Sequence, residues 1–396
     1  MSLRYVFFFI AMIFAVFGNS YISDYIGYTM RTTVAFTLLL IYCIFKLSKG
    51  EYSHKLDKSY YLFLWTGILI YLFHVILGHD YFQSMLTMVY LPCIFYVFFL
   101  KFNTQEKKIV QVSLLIFFVT NCIMAIWEHY QVSYFIPHVI SKIDLEESWT
   151  FRARAMLGHP LANALIMSTM IVYILASDLD FKIKMLFFLL GEYALLCFNT
   201  RSGILVTTCC SCPIIFKNIV LQKKSSRKYY FLIIFSFFVY ATYYVLNSDI
   251  GGRLVNLSSN QGFLNDSSSF ARLEILDFVN YISLDDFLYG NPDGYERILV
   301  VMNLMGVENG FVTIVLYYGI IGGVLLFVFM NKFYWNNMKK LGMLERSCIF
   351  ICYWGIGFTN PHIAFSLAWY YFFFDYFAFT PNRIKSNCSV NPVIVV

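Results

Sequence analysis

The chain has 396 residues, of which 59% are hydrophobic and 13% charged, about half the charged fraction of an average soluble domain. That excludes a water-soluble enzyme and a disordered chain alike. The formal net charge of +6 does not imply a nucleic-acid partner, because basic residues in a polytopic membrane protein usually set its orientation.

A bilayer crossing takes about 20 apolar residues, and the chain reads as an all-α, polytopic integral membrane protein forming one membrane domain over 1–396, with about twelve spans. In chain order the apolar runs lie at approximately 5–18, 30–47, 60–78, 81–100, 109–127, 160–177, 183–199, 203–220, 229–247, 310–330, 346–359 and 362–379. The first run has only Arg4 before it and could pass for a signal-peptide core, but the many runs after it argue that it stays as a first helix. The last two are short and separated only by Asn360-Pro361, which leaves a re-entrant hairpin open there.

If the N-terminus is cytoplasmic, each inside segment is basic. The lysine pairs and clusters at Lys46–Lys58, Lys101–Lys108, Lys182–Lys184, Lys217–Lys228, Lys332–Arg346 and Arg383–Lys385 all fall on that side, as the positive-inside rule requires. Both termini are then cytoplasmic. Two outer segments, about 128–159 and 248–308, are longer than connectors need to be and read as functional loops. The second sets Arg253, Arg272 and Arg297 against nine acids. Within it, Phe270 to Leu288 carries apolar residues at helical spacing, which predicts an amphipathic helix on the outer face. No internal repeat is visible.

Of the outward basic residues, Arg31, Lys142, Arg152, Arg154, Arg201, Arg253, Arg272 and Arg297, all but Lys142 are arginine. Arginine contacts phosphate oxygens bidentately and stays charged at any working pH. Arg152 and Arg154 precede the turn Gly158-His159-Pro160, Arg201 sits in the hinge Asn199-Thr200-Arg201-Ser202-Gly203, and Arg272 comes after Ser267-Ser268-Ser269-Phe270-Ala271. Each arginine alone could snorkel to headgroups or pair with loop acids. Together they predict an anionic ligand at the outer face, such as a lipid-linked diphosphate.

The ordered series Arg154-Ala-Met-Leu-Gly158-His159-Pro160-Leu-Ala-Asn163, then Asn199-Thr-Arg201-Ser-Gly203, resembles the two mid-chain signatures of the O-antigen polymerase and ligase superfamily (Wzy-type). Arg272-Leu-Glu-Ile-Leu, Gly290, Glu308-Asn309-Gly310 and Tyr318-Gly319-Ile-Ile-Gly322 come next, in that family's order. The chain departs where ligases usually carry His before Asn309, having Glu308 instead, which favours polymerase over ligase. The spaced Arg-x10-Gly pattern of some polymerases does not occur from any of the outer arginines.

The resemblance implies a GT-C-like fold in the bacterial inner (cytoplasmic) membrane. It also implies transfer of a growing glycan from one undecaprenyl-diphosphate carrier to a lipid-linked repeat unit, in lipopolysaccharide or other surface polysaccharide biosynthesis. A chain-length regulator protein is an implied partner beside the bilayer and the lipid-linked oligosaccharides. No nucleotide donor, metal or other cofactor is required. Such a site needs fixed cations facing the departing diphosphate and a base for the acceptor hydroxyl. Arg154, Arg201 and Arg272, with Arg152 and Asn309, are the expected substrate-binding residues; Glu308 is the leading base and His159 the alternative.

Other readings stay open for some of these residues. Glu308 could equally be a charge favoured by a helix N-terminus, His159 could simply form the turn with Pro160, and Asp285-Asp286 reads as solvated loop. Glu192 is the clearest acid inside a span, with His74 as a possible partner. The ten cysteines lie mostly in apolar runs, and Cys209-Cys210-Ser211-Cys212 reads as packing, with no metal-ligand cluster nearby. The rival functions are O-antigen ligase and a lipid-linked oligosaccharide flippase, the latter expected to show several intramembrane charges and related halves.

Overall fold

The computed structural model describes residues 3–17, 31–47, 56–79, 82–135, 151–222, 224–247, 275–302, 307, 309–360 and 368–380. Among them there is no strand, and a helix falls on every apolar run. The helices are α1 Leu3–Phe17, α2 Arg31–Leu47, α3 Lys58–Ile76, and a composite α4 in which Phe82–Met85 passes through a π-helical turn, Leu86–Tyr90, into Leu91–Phe99. They continue with α5 Thr104–Gln131, α6 Pro160–Ala176, α7 Phe181–Cys197, α8 Arg201–Val220 and α9 Lys224–Asn247. After the outer loop come α10 Leu284–Tyr289, α11 Pro292–Val301, α12 Gly310–Asn337, α13 Met343–Gly357 and α14 Ala368–Phe379. Four of them, α3, α5, α8 and α12 with its short 3-10 extension, are long and apolar enough to cross a bilayer.

Helix starts reflect local chemistry. Asn103 and Glu106 form a reciprocal capping box at α5, satisfying two of the amides that a helix start leaves unpaired. Asp180 caps α7, Asn291 caps α11 with Pro292 in its first turn, and Asn309 caps α12. α6 lies at the centre, buried at nearly every position from Pro160 to Leu175. It packs against α8, α13, α7 and α14. A helix buried all round carries little amphipathic signal, so its central place could not be seen in the sequence pattern.

Side-chain bonds define two ends. At one, Glu106 on α5 accepts from Arg4 of α1 at 3.0 Å, from Lys46 of α2 at 2.6 Å, and from Tyr42. Lys107 donates to the carbonyl of Thr380 beyond α14, Asn218 of α8 to that of Leu175 on α6, and Lys217 pairs with Glu345 at the start of α13. This end collects the lysine-rich connections. The opposite end gathers the finish of α5, α7 and α13 with the start of α6, α8 and α12.

The outer loop departs from the expected single helix. Residues 270–274 lie outside the described residues, and beyond them the chain forms a 3-10 turn, Ile275–Asn280, then α10 and α11. Ser283 restarts the chain as an N-cap and Pro292 opens α11; each supplies a helix start, so the apolar spacing is divided among short pieces. Ile275, Phe278 and Ile298 close a small core with Val307 and with Val312, Val315 and Leu316 of α12. Asp286 is part of this framework: it accepts from Asn291 at 2.9 Å and lies 3.7 Å from Arg297.

The loop docks where α12 breaks. Gly319 has φ 68 and ψ 167, outside helical values, and a Cβ placed on Gly290 would lie 2.3 Å from the Gly319 nitrogen. The amide of Asn291 donates to the Leu316 carbonyl at 2.8 Å. Ile314 folds back so closely that a Cβ on Gly323 would meet its Cγ2 at 2.8 Å. Length explains the bend. At about 1.5 Å per residue, α12 would be roughly 42 Å long if straight, against roughly 22 Å for α13. Yet the amide of Gly310 bonds the carbonyl of Phe358 just past α13.

Candidate functional site

The segment from Phe151 to His159 is an irregular strap across the mouth of the bundle, and its backbone is held by side chains from the spans. Glu128, in the last turn of α5, is buried. Its carboxylate accepts the amides of Arg154 at 2.7 Å, Ala155 at 2.8 Å and Phe135 at 3.1 Å. Arg154 is right-handed and Ala155 left-handed (φ 40), a sequence of backbone conformations that turns successive N–H groups into an anion-binding nest. Asn121, two turns earlier on the same face of α5, accepts from Met156 at 2.9 Å. Asn163 of α6 donates to the carbonyls of Arg154 at 2.5 Å and His159 at 3.1 Å, and the amide of Ala153 bonds Cys197 at the end of α7.

This anchorage leaves Arg152 and Arg154 half-buried, with the Arg154 guanidinium 4.4 Å from the Tyr134 ring centre. His159 caps α6, its Nδ1 accepting the Leu161 amide at 3.2 Å. An amide can only donate, so this Nδ1 is unprotonated and a neutral ring carries its proton on Nε2.

Arg201 opens α8 after a tight hinge at Asn199 (φ 51). Gly203 makes the close approach to α6 possible, since a Cβ there would stand 3.2 Å from Ala164. Glu192 and Arg201 thus sit on separate helices. The α8 partner of Glu192 is Thr208, which donates to it at 3.3 Å, whereas His74 lines an apolar groove with Phe73, Tyr289 and Ile321.

The finish of α13 ties these starts together. Thr359 donates to Ser202 at 3.1 Å, Asn360 to the Leu161 carbonyl at 2.6 Å, and Phe358 accepts from Gly310 at 3.0 Å. Asn309 accepts the amides of Phe311 and Val312 at 3.1 and 3.2 Å, so its carbonyl oxygen is engaged in capping α12. Three helix N-termini, at Pro160, Arg201 and Gly310, therefore meet at one end beside Arg154 and Arg201. Each contributes about half a positive charge, which suits an anion.

The structure places Arg152, Arg154, His159, Arg201 and Asn309 at the same end of the bundle. Arg272 and Glu308 lie outside the described residues, as do Arg253 and Lys142. Arg297 pairs with loop acid Asp286 instead. Sequence reasoning missed Glu128, Asn121, Asn163 and Asn360; their signal was polarity inside or at the edge of an apolar run, with Asn121 and Glu128 two helical turns apart. Among the described residues no group of His, Cys, Asp or Glu is placed to hold a metal ion.

No protein-family model, curated protein or solved structure matches the chain.

Proposed function

We propose that the chain is a membrane glycosyltransferase that polymerises a surface polysaccharide at the outer face of the bacterial inner membrane. In this reading it spans the bilayer about twelve times, with the lysine-rich end and both termini in the cytoplasm. One observation supports it above the others: Arg154, Arg201 and three helix N-termini lie at the end opposite the lysines, a concentration of positive charge that lipid headgroups alone do not call for.

The substrates are two undecaprenyl-diphosphate-linked oligosaccharides. As the anomeric C–O bond of the donor breaks, negative charge grows on the departing diphosphate. Arg154, Arg201 and Arg272, with Arg152 beside them, are positioned in this proposal to hold it, aided by the helix N-termini. Glu308, directly before the capped start of α12, removes the acceptor proton. With Nδ1 of His159 engaged by its cap, that ring serves as a hydrogen-bond donor to a phosphate or sugar oxygen, and the side-chain amide nitrogen of Asn309, whose oxygen caps α12, donates to the ligand. A regulator of chain length would act from outside this site.

The test is complementation of a deletion strain with Arg154 and Arg201 variants. Arg→Ala and Arg→Lys are both expected to lower polymerisation by about 100-fold or more, the loss typical of removing one preorganised transition-state contact. Full-length polysaccharide from every Lys variant would overturn bidentate diphosphate binding. The deletion itself separates the rivals. Single repeat units on the lipid core mark a lost polymerase, bare core a lost ligase, and carrier trapped on the inner leaflet a lost flippase.

A further inference from the structure

Asp375 lies on α14, four residues before its end, with no exposed surface. Neither of its carboxyl oxygens has a hydrogen-bond partner among the described residues. Such a group inside a membrane bundle is costly to place and is a functional position by default. Helix register places its surroundings. α14 runs antiparallel to α5: Lys107 bonds the Thr380 carbonyl at one end of the contact, and the Phe117 and Tyr371 rings stack with centres 5.0 Å apart further along. One helical turn from that stacked pair, on the same faces, stand Ser113 and Asp375. Ser113 is also fully buried, and its hydroxyl likewise has no partner among the described residues. Two polar groups on facing helices, neither bonded among the described residues, thus share one level of the bundle.

We infer that Asp375, with Ser113 across from it, is a proton-binding site in the membrane interior, separate from the anion site proposed at the outer end. The ligand is a proton and not a metal cation because the facing pair offers few oxygens, the two of the Asp375 carboxyl and the Ser113 hydroxyl, and the nearby tyrosine hydroxyls are directed at other partners. Tyr371 donates its hydroxyl to the Val16 carbonyl at 2.6 Å, and Tyr173, within electrostatic range of Asp375, lies 3.2 Å from the Met338 sulfur. A hard cation needs several oxygens at once, whereas a neutral carboxylic acid needs one donor and one acceptor partner.

The other titratable groups packed around α14 are Lys107 on α5, Cys93 and Tyr96 on α4, Tyr334 on α12, Tyr353 on α13, and Tyr376 on α14 itself. Of these Lys107 is the one cation, and it is held at the helix end by Thr380. Among the described residues of α1, Met12 stands one turn from Val16. With the proton in place α14 packs as a neutral helix; without it an unpaired charge would face α1 and α5.

Infrared spectra of the purified full-length chain in lipid nanodiscs at pH 7 test this. A C=O stretch of a protonated carboxyl is expected, displaced when aspartate carries 13C at its side-chain carboxyl, lost in Asp375→Asn and shifted in Ser113→Ala. The labelled wild type needs no variant to fold. Absence of any aspartate-derived band, its survival in Asp375→Asn, or its loss when sodium chloride replaces choline chloride would each overturn the assignment.

Discussion

Removing the Glu128 carboxylate probes the outer site most directly, because its effect can be worked out bond by bond. Glu128→Ala strips the acceptor from the amides of Arg154 and Ala155, bonded at 2.7 and 2.8 Å. A buried donor left without a partner costs about 1–3 kcal/mol. Two of them raise the cost of the ordered strap by about 2–6 kcal/mol, and half of that is a conservative expectation if water reaches Arg154. At about 1.4 kcal/mol per tenfold, about 1–3 kcal/mol corresponds to roughly 5- to 150-fold more frequent opening. Hydrogen exchange followed by mass spectrometry reads this in peptides covering 151–159, whose protection should fall by that factor. Glu128→Gln keeps one carbonyl acceptor and should lose less, and Asn121→Ala should act mainly at Met156. Unchanged exchange across 151–159 in Glu128→Ala would refute the reasoning, since the strap would then be held by something other than this carboxylate.

Other contacts carry expectations of their own. Gly290→Ala sets a Cβ against backbone at 2.3 Å and a residue at φ +82. With ψ at 150, a region nearly confined to glycine, the backbone alone costs about 1–3 kcal/mol, so limited proteolysis should cut the 275–302 region faster than in the wild type. Glu106→Ala leaves buried Lys46 without its carboxylate, a change worth about 3–5 kcal/mol; thermal unfolding in detergent should drop clearly, and Lys46→Met in the same chain should restore part of the loss. Asn309→Ala removes the cap of α12 at about 1 kcal/mol, while Asn309→Asp or Asn309→Ser should hold it. If glycan output falls in Asn309→Asp with thermal stability intact, Asn309 contacts substrate as well as capping; if output tracks stability through all three variants, capping is its whole role.

The helical, multi-span character of the chain was legible because each apolar run must satisfy its own backbone hydrogen bonds where water is absent, and a helix does so without help from elsewhere. Local capping is just as short-ranged, Asn309 and His159 acting on amides two or three residues away, yet in the sequence Asn309 reads as substrate-binding and His159 as an alternative base or a turn with Pro160. The arginine-bearing turns could be assigned to one side from the lysine pattern alone. What the tertiary structure decided is nonlocal. Which helix ends meet depends on Asn360 beyond one helix finding Leu161 of another, and on α12 bending at Gly319 so that Gly310 reaches Phe358. The same holds for Glu128 and Asp375. Each is an ordinary acid in an apolar stretch until packing shows that one is saturated with backbone amides while the other, equally buried, has none among the described residues.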